Sequence, residues 1–299
     1  MNLNQFNRVV VWGLRKTRHS HRYIHKGFYE TLTKLEVPTF WIEDRATNAD
    51  LIRPNTLVFT SGMSTKHLPL IKNAYYILHN VDNEITQKLE NHIKLQVHSI
   101  TSKGIQIDNS IALWDESENT IYQPWGISED KSMWLMPRKE KKCKEFWVGA
   151  VWNNTTNQGN KLAIQEYSKE LKQRNIKFIR LGGTRSLSIN GISSKKNLEL
   201  INISSIGASI LGNWQKDHKY IPCRAFKNIA AGALPISNSN LEWIFGNSYL
   251  HYESIPELIE TALGLSYSEI CSRNLSTRKN LELYSYVRNL ERILQVAKW

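Results

Sequence analysis

The chain has 299 residues, 41% of them hydrophobic and 22% charged, and a net charge of +12. That is the length of two ordinary domains and the composition of a globular protein. Mean hydropathy is -0.43, and no apolar run approaches the roughly 20 residues that span a bilayer.

The opening stretch MNLNQFNRVVVWG has too short a hydrophobic run for a signal peptide, so the expected location is the cytoplasm. Cys143, Cys223 and Cys271 are scattered and odd in number. That argues against a disulfide framework or a structural zinc site. Cys223 reads as a small buried side chain, since no histidine adjoins it to activate a thiolate. A pI near 9.5 invites a nucleic-acid reading. Much of the charge reads as dispersed, however, and the densest run, 138–144, has no aromatics to stack bases. It reads as a solvated linker. A basic surface suits a phosphorylated small molecule or an anionic membrane equally well.

In chain order, short apolar strands are expected over 8–13, 38–42, 56–60, 74–78 and 95–100. Ser20 caps a helix in which Ile24, Phe28, Leu32 and Leu35 keep helical spacing. A looser stretch ends in the turn signal Tyr122-Gln123-Pro124-Trp125-Gly126. Strands follow at 146–151, 177–181, 205–211 and 248–252. Between and after them lie helices over 161–174, past Pro222, over 241–245 and from Pro256. A last helix puts Leu283, Val287, Leu290, Leu294 and Ala297 on one face. Alternating short strands and helices predict parallel sheets covered on both faces.

Ligands of such sheets gather outside the carboxyl ends of the strands, so polar residues there are the candidates. The loop after the first strand reads Arg15-Lys16-Thr17-Arg18-His19-Ser20-His21-Arg22. Arg18, His19 and Arg22 can bind an acceptor or an anion. His21, in the first helical turn, is the leading candidate for a general base, because imidazole titrates near neutrality. His19 and His25 compete with it. Asp44 and Asp82 each follow a strand and are second candidates for the base, or simply helix caps. His79 has the same placement and is either acceptor-binding or buried in the core. In the second half, Asn153 and Asn154 follow one strand, and Gly182, Gly183, Thr184 and Arg185 follow the next. Glycines there let backbone approach a flat base or ribose.

The most informative segment is YIPCRAFKNIAAGALPIS, residues 220–237. Pro222 suits a helix start. Phe226, Ile229, Ala230 and Ala233 form one apolar face, while Arg224 and Lys227 share another near the helix N-terminus, where the dipole favours a phosphate. This segment resembles the donor-binding helix of GT-B glycosyltransferases, in which a basic residue precedes a run ending A-x-G-x-x-P; here the run is Ala230, Gly232 and Pro235.

The resemblance implies an α/β protein of GT-B architecture, two Rossmann-like domains facing across a cleft. Residues 1–126 would form the acceptor-side domain, 127–145 a charged linker and 146–280 the donor domain. Residues 281–299 would be a terminal helix returning to the first domain. It implies a glycosyltransferase that moves a sugar from a nucleotide-sugar donor to a glycan or lipid-linked acceptor, with peripheral membrane association allowed and no nucleic acid. Arg224 and Lys227 would bind the donor diphosphate, aided by Asn153, Asn154 and 182–185. The donor is a substrate, so no cofactor is implied.

Many retaining members carry a glutamate at the place occupied here by Lys227, a departure that tilts the expectation towards inversion. No D-x-D triplet, Walker A loop, G-x-G-x-x-G or G-x-S-x-G element occurs. No metal is expected, and leaving-group charge would fall to Arg224, Lys227 and backbone N–H groups. The rivals are a non-catalytic nucleotide- or glycan-binding module of the same fold and, more weakly, a basic nucleic-acid-binding protein.

Overall fold

The computed structural model describes residues 3, 5–16, 20–35, 37–45, 49–81, 83–98, 104–141, 143–153, 159–181, 192–297 and 299, with backbone alone at 20, 21, 49 and 83. The chain divides into two compact units. Unit 1 comprises 1–128 and 286–299, and unit 2 comprises 129–285.

Unit 1 is built on β1 (Arg8–Trp12), α1 (Ser20–Thr33), β2 (Thr39–Ile42), β3 (Thr56–Ser61), β4 (Tyr75–His79), α2 (Asn83–Thr86), β5 (His92–Gln96), β6 (Ile105–Gln106), β7 (Leu113–Asp115) and β8 (Thr120–Tyr122). These strands form one 8-stranded sheet in the order β2-β1-β3-β4-β5-β8-β7-β6. Pairing is parallel from β2 to β8 and antiparallel from β8 to β6. Val10, Trp12, Val58, Tyr76 and Leu78 pack on one face. On the other, α1 lays Phe28 against Phe59, ring centroids 4.2 Å apart.

Two expectations shift. The fifth strand covers His92–Gln96 rather than 95–100, because Ile93 and Leu95 alternate with the polar His92, Lys94 and Gln96 in a period of two. The looser stretch before Gly126 contains the antiparallel β6–β8 extension, whose strands are too short to show a pattern in sequence.

Unit 2 runs through β9 (Lys144–Val148), α3 (Lys161–Gln173), β10 (Lys177–Leu181), α4 (Ser194–Asn202), α5 (Asn213–Asp217), α6 (Cys223–Ala230), β11 (Ile236–Ser237), α7 (Glu242–Phe245), β12 (Leu250–His251), α8 (Ile255–Gly264) and α9 (Tyr267–Leu281). β9 pairs with β10 and β11 with β12, all parallel. Residues 205–211 fill the gap: Ser205 N donates to Lys144 O, and Ser209 bridges Ser237. The expected strand there is reduced to that bridge. Trp147, Ile164, Tyr167, Leu171, Ile236 and Leu258 make the core.

The final helix, α10 (Tyr286–Val296), belongs to unit 1. Asn289 Nδ2 donates to Pro124 O and Trp125 O at 2.9 and 2.8 Å, and Gln123 Nε2 donates back to Asn289 O at 3.0 Å. Buried Arg292 reaches Asp108, Nε to Oδ2 2.7 Å.

The charged stretch 127–145, expected as a linker, is a strap that from residue 129 onward folds as part of unit 2. Leu135 N donates to Ala230 O at 2.8 Å, and Asn202 Nδ2 donates to Met136 O at 2.8 Å. Lys141 Nζ donates to Asn202 O at 2.8 Å, at the C-terminus of α4. A chain that hands its backbone groups to neighbouring helices is structure, however charged its side chains.

Burial pushes the Lys141 ammonium from 10.5 down to about 8; Glu145 opposes the shift and Arg138 reinforces it. The folded protein therefore releases this proton before the unfolded chain does. Between pH 8 and pH 10.5 the unfolded state binds more protons, so stability rises with pH there, and below pH 8 the penalty is constant. Urea unfolding of the wild type and Lys141→Met should show the wild type gaining on the variant across this window. A difference independent of pH would contradict the assignment.

Candidate functional site

The informative segment folds as a helix and a return. Pro222 is the N-cap of α6, with no side-chain cap hydrogen bond. Phe226 sits edge-on to Phe245 and Tyr284, centroids 5.0 and 5.8 Å away. Gly232 closes the helix at φ +74°, and a Cβ there would stand 2.6 Å from the Met136 carbonyl carbon. Only glycine satisfies both conditions.

Arg224 and Lys227 were expected to converge on one anion, the donor diphosphate. Both are only 8% exposed. The Arg224 fork turns in under the sheet: Nε donates to Ala208 O at 3.2 Å, Nη2 to Phe146 O at 3.0 Å and Nη1 to Val148 O at 3.4 Å. Its carbon lies 4.0 Å from the centroid of the Trp147 ring, a cation–π contact. The counter-charge is Glu145, fully buried, which accepts from Ile206 N at 3.0 Å and from Gly207 N at 3.1 Å. Burial pushes the Glu145 carboxyl up, while Arg224 and the two N–H donors pull it back. Burial lowers Arg224, and Glu145 opposes that. Burial first, then the Glu145 charge, raises Tyr167 well above its ordinary value. Lys227 Nζ lies 3.7 Å from Oε1 of Glu129 in the strap.

Around α6 the strand-end loops are clamped by amides. Asn160 Oδ1 accepts from Trp152 N at 3.0 Å while its Nδ2 donates to Ala150 O at 3.2 Å. Asn238 makes a pair of hydrogen bonds to a single residue, Leu211, Oδ1 accepting at 2.7 Å and Nδ2 donating at 2.9 Å. Gln215 Oε1 accepts from Gly212 N at 3.0 Å. A Cβ on Gly159 would fall 2.0 Å from Trp152 O, and one on Gly212 would fall 2.2 Å from Gly159 O. These loops touch backbone to backbone. The clamped loop presents an exposed indole, Trp152, edge-on to Trp214, which stacks on His218. Of the expected donor residues here, Asn153 takes a structural bond, accepting from Gly159 N at 3.2 Å. Asn154, Gly182, Gly183, Thr184 and Arg185 lie outside the described residues.

In unit 1, Glu43 fixes the start of the basic loop, its Oε2 accepting from Arg15 N at 3.1 Å and Lys16 N at 2.8 Å. His21 occupies the first turn of α1, and its side chain lies outside the described residues, as do Arg18, His19 and Asp82. Arg22 is half-buried. His25, a competitor for the base, is buried beneath Gly13, where a Cβ would meet its ring at 2.1 Å. Asp44 is also buried; its Oδ2 accepts from Ser64 Oγ at 2.9 Å, and Ser64 O accepts from Trp12 Nε1 at 2.9 Å. His79 is buried with its ring 3.9 Å from that of Trp125. Of its two expected settings it has the core one.

Sequence reasoning missed Glu145, Glu129, Trp147, Asn160, Asn238 and Ser64. None of them left a signal in the sequence: Glu145 falls just after the lysine-rich run 138–144, one residue before the expected strand.

No protein-family model matches this sequence, and no curated protein matches it. Solved structures do. An alpha-glucosyltransferase (AGT) in complex with UDP superposes with TM-score 0.56 at 8% identity, covering 96% of this chain and 99% of that one. A beta-glucosyltransferase, described as a DNA modifying enzyme and solved with and without uridine diphosphoglucose, superposes with TM-score 0.51 at 10% identity over 96% and 99%. The fold is GT-B. At such identity the likeness extends to the GT-B fold and no further.

Helix α6 is thus anchored by a buried arginine. Replacing it leaves three carbonyls and Glu145 without their partner, a loss of about 3–5 kcal/mol. Arg224→Met should therefore unfold at markedly lower urea, whereas a surface cation would cost under about 1 kcal/mol.

Proposed function

We propose that the protein transfers a sugar from a nucleotide-sugar donor. The observation that carries this reading is the near-full-length likeness to two glucosyltransferases, one with UDP bound and one with a UDP-sugar substrate. The α6 segment supports it independently. The uncapped helix start and Lys227 are the proposed seat of the donor diphosphate, with Arg224 holding the helix from below. The lysine and the N–H groups would neutralise the leaving diphosphate without a metal ion. His21 at the start of α1 would take the acceptor proton for direct, inverting displacement. Asp44, held by Ser64, is the alternative base.

UDP present at about 100 times its dissociation constant should raise stability by roughly 2.7 kcal/mol, visible as a thermal shift. Lys227→Ala should weaken UDP binding about 10-fold, the loss of one charge-assisted contact. Release of labelled glucose from UDP-glucose should persist in EDTA. His21→Ala should lower that turnover about 100-fold or more with UDP affinity unchanged. If Asp44→Asn does this instead, the base is reassigned. UDP binding without any turnover favours the non-catalytic rival.

The acceptor is proposed to be a glycan or a lipid-linked molecule. A nucleic-acid acceptor is a second reading, favoured by the placement of charge. Residues 138–227 carry 18 Lys and Arg against 6 Asp and Glu, while the rest of the chain carries 21 of each. The excess charge is concentrated, not dispersed. Labelled sugar recovered on DNA rather than in a lipid or oligosaccharide fraction would decide for it.

A further inference from the structure

We propose that Glu129 competes with the donor's phosphate for Lys227, and so sets how tightly the diphosphate is held. This role rests on the sugar-transfer reading, since it concerns the anion seat proposed on α6. A lysine is seldom buried unless it is paired. Lys227 is buried, and the Glu129 carboxylate lies beside its ammonium.

The strap delivers that carboxylate. Leu135 N donates to Ala230 O at 2.8 Å and the Met136 backbone lies against Gly232, so the strap runs along the end of α6. At its start, Asp130 accepts from Ser132 N at 3.0 Å, and Lys131 pairs with Glu282. Trp134 Nε1 donates to Glu129 O at 3.3 Å. The backbone around Glu129 is thereby ordered, with the Glu129 side chain turned inward and 1% exposed. Lys227 keeps 11% of its side chain exposed. An anion arriving from solvent therefore meets the ammonium before the carboxylate.

The pair is loose. Its 3.7 Å separation attracts the two charges but is beyond hydrogen-bonding reach for these atoms. A phosphate oxygen that closes to about 2.8 Å makes the stronger, charge-assisted contact and can take the ammonium over. While Glu129 holds Lys227 the two charges cancel, and the helix N–H groups are left to face the donor. Once phosphate is bound, the displaced carboxylate stays near enough to oppose it. Such a seat holds a leaving diphosphate less firmly than an unopposed cation would, and favours its release.

Calorimetric titration of Glu129→Gln with UDP and with inorganic pyrophosphate tests this. Each should bind the variant about 10-fold more tightly than the wild type, because one opposing charge has gone. Uridine, which carries no phosphate, should show no gain. Without ligand the variant should melt below the wild type, since Lys227 has lost its counter-charge, and UDP should raise its melting temperature by more. A Glu129 that merely positions Lys227 predicts the opposite sign, weaker binding. Glu129→Asp draws the carboxylate back by one methylene; it should tighten binding by less, and it serves if Glu129→Gln does not fold. In a Lys227→Ala background the gain should shrink to under about 3-fold, because the contested ammonium is gone. The proposal is overturned if the folded variants bind UDP and pyrophosphate no more tightly than the wild type, or if the gain persists undiminished without Lys227. Equal, measurable UDP binding by variant and wild type removes this role and leaves the donor seat standing. Absence of UDP binding in both removes the donor reading, and this role with it.

Discussion

The Arg224 guanidinium is the fixed point of unit 2. Three of its N–H groups hold carbonyls of β9 and of the chain beside it, and its plane lies on Trp147. A lysine could not replace it, since one ammonium cannot serve three carbonyls in a plane and stack on an indole at once. Burying a charge this deeply is costly, and the cost is offset by the three carbonyls, the Trp147 ring and the opposite charge of Glu145, which itself receives two backbone N–H groups. Helix, sheet and the 206–208 turn are thereby joined through one set of polar contacts. The helix start that is proposed to face the donor is held from below.

The carboxyl edge of the same unit is shaped by amides that imitate backbone. Where the ladder ends, donors and acceptors must still be satisfied. Asn160 and Asn238 do this with a carbonyl and an NH2 on one short side chain. The glycines at 159 and 212 let the loops close to distances that no Cβ would permit. Trp152 is thus an exposed aromatic on a tightly held loop, the combination a stacking surface needs.

Unit 1 uses its polar strand ends differently. Asp44 and His79 are drawn into the interior with His25 of α1, where Ser64, Trp125 and Gly13 meet them. Glu43, one residue before Asp44, instead turns to the basic loop and fixes its first residues. Two neighbouring carboxylates at one strand end therefore do separate jobs. One is held inside the unit by Ser64, and the other positions the segment that leads to His21.

The sequence by itself determined the alternation of elements, the parallel sheets and the helix after Pro222, because those follow from local periodicity and from proline and glycine geometry. It also marked Gly232 as a turn. It could not show which way Arg224 would point, since a helical position fixes a direction but not whether carbonyls wait there. Nor could it distinguish the buried His79 from an exposed one, or a solvated linker from the strap that Leu135 and Met136 tie to α6 and α4. The β6–β8 extension, with strands of 2 and 3 residues, carries too few residues to register a pattern. Each of these outcomes was decided by partners distant in sequence, because the desolvation of a polar group depends on what surrounds it in space.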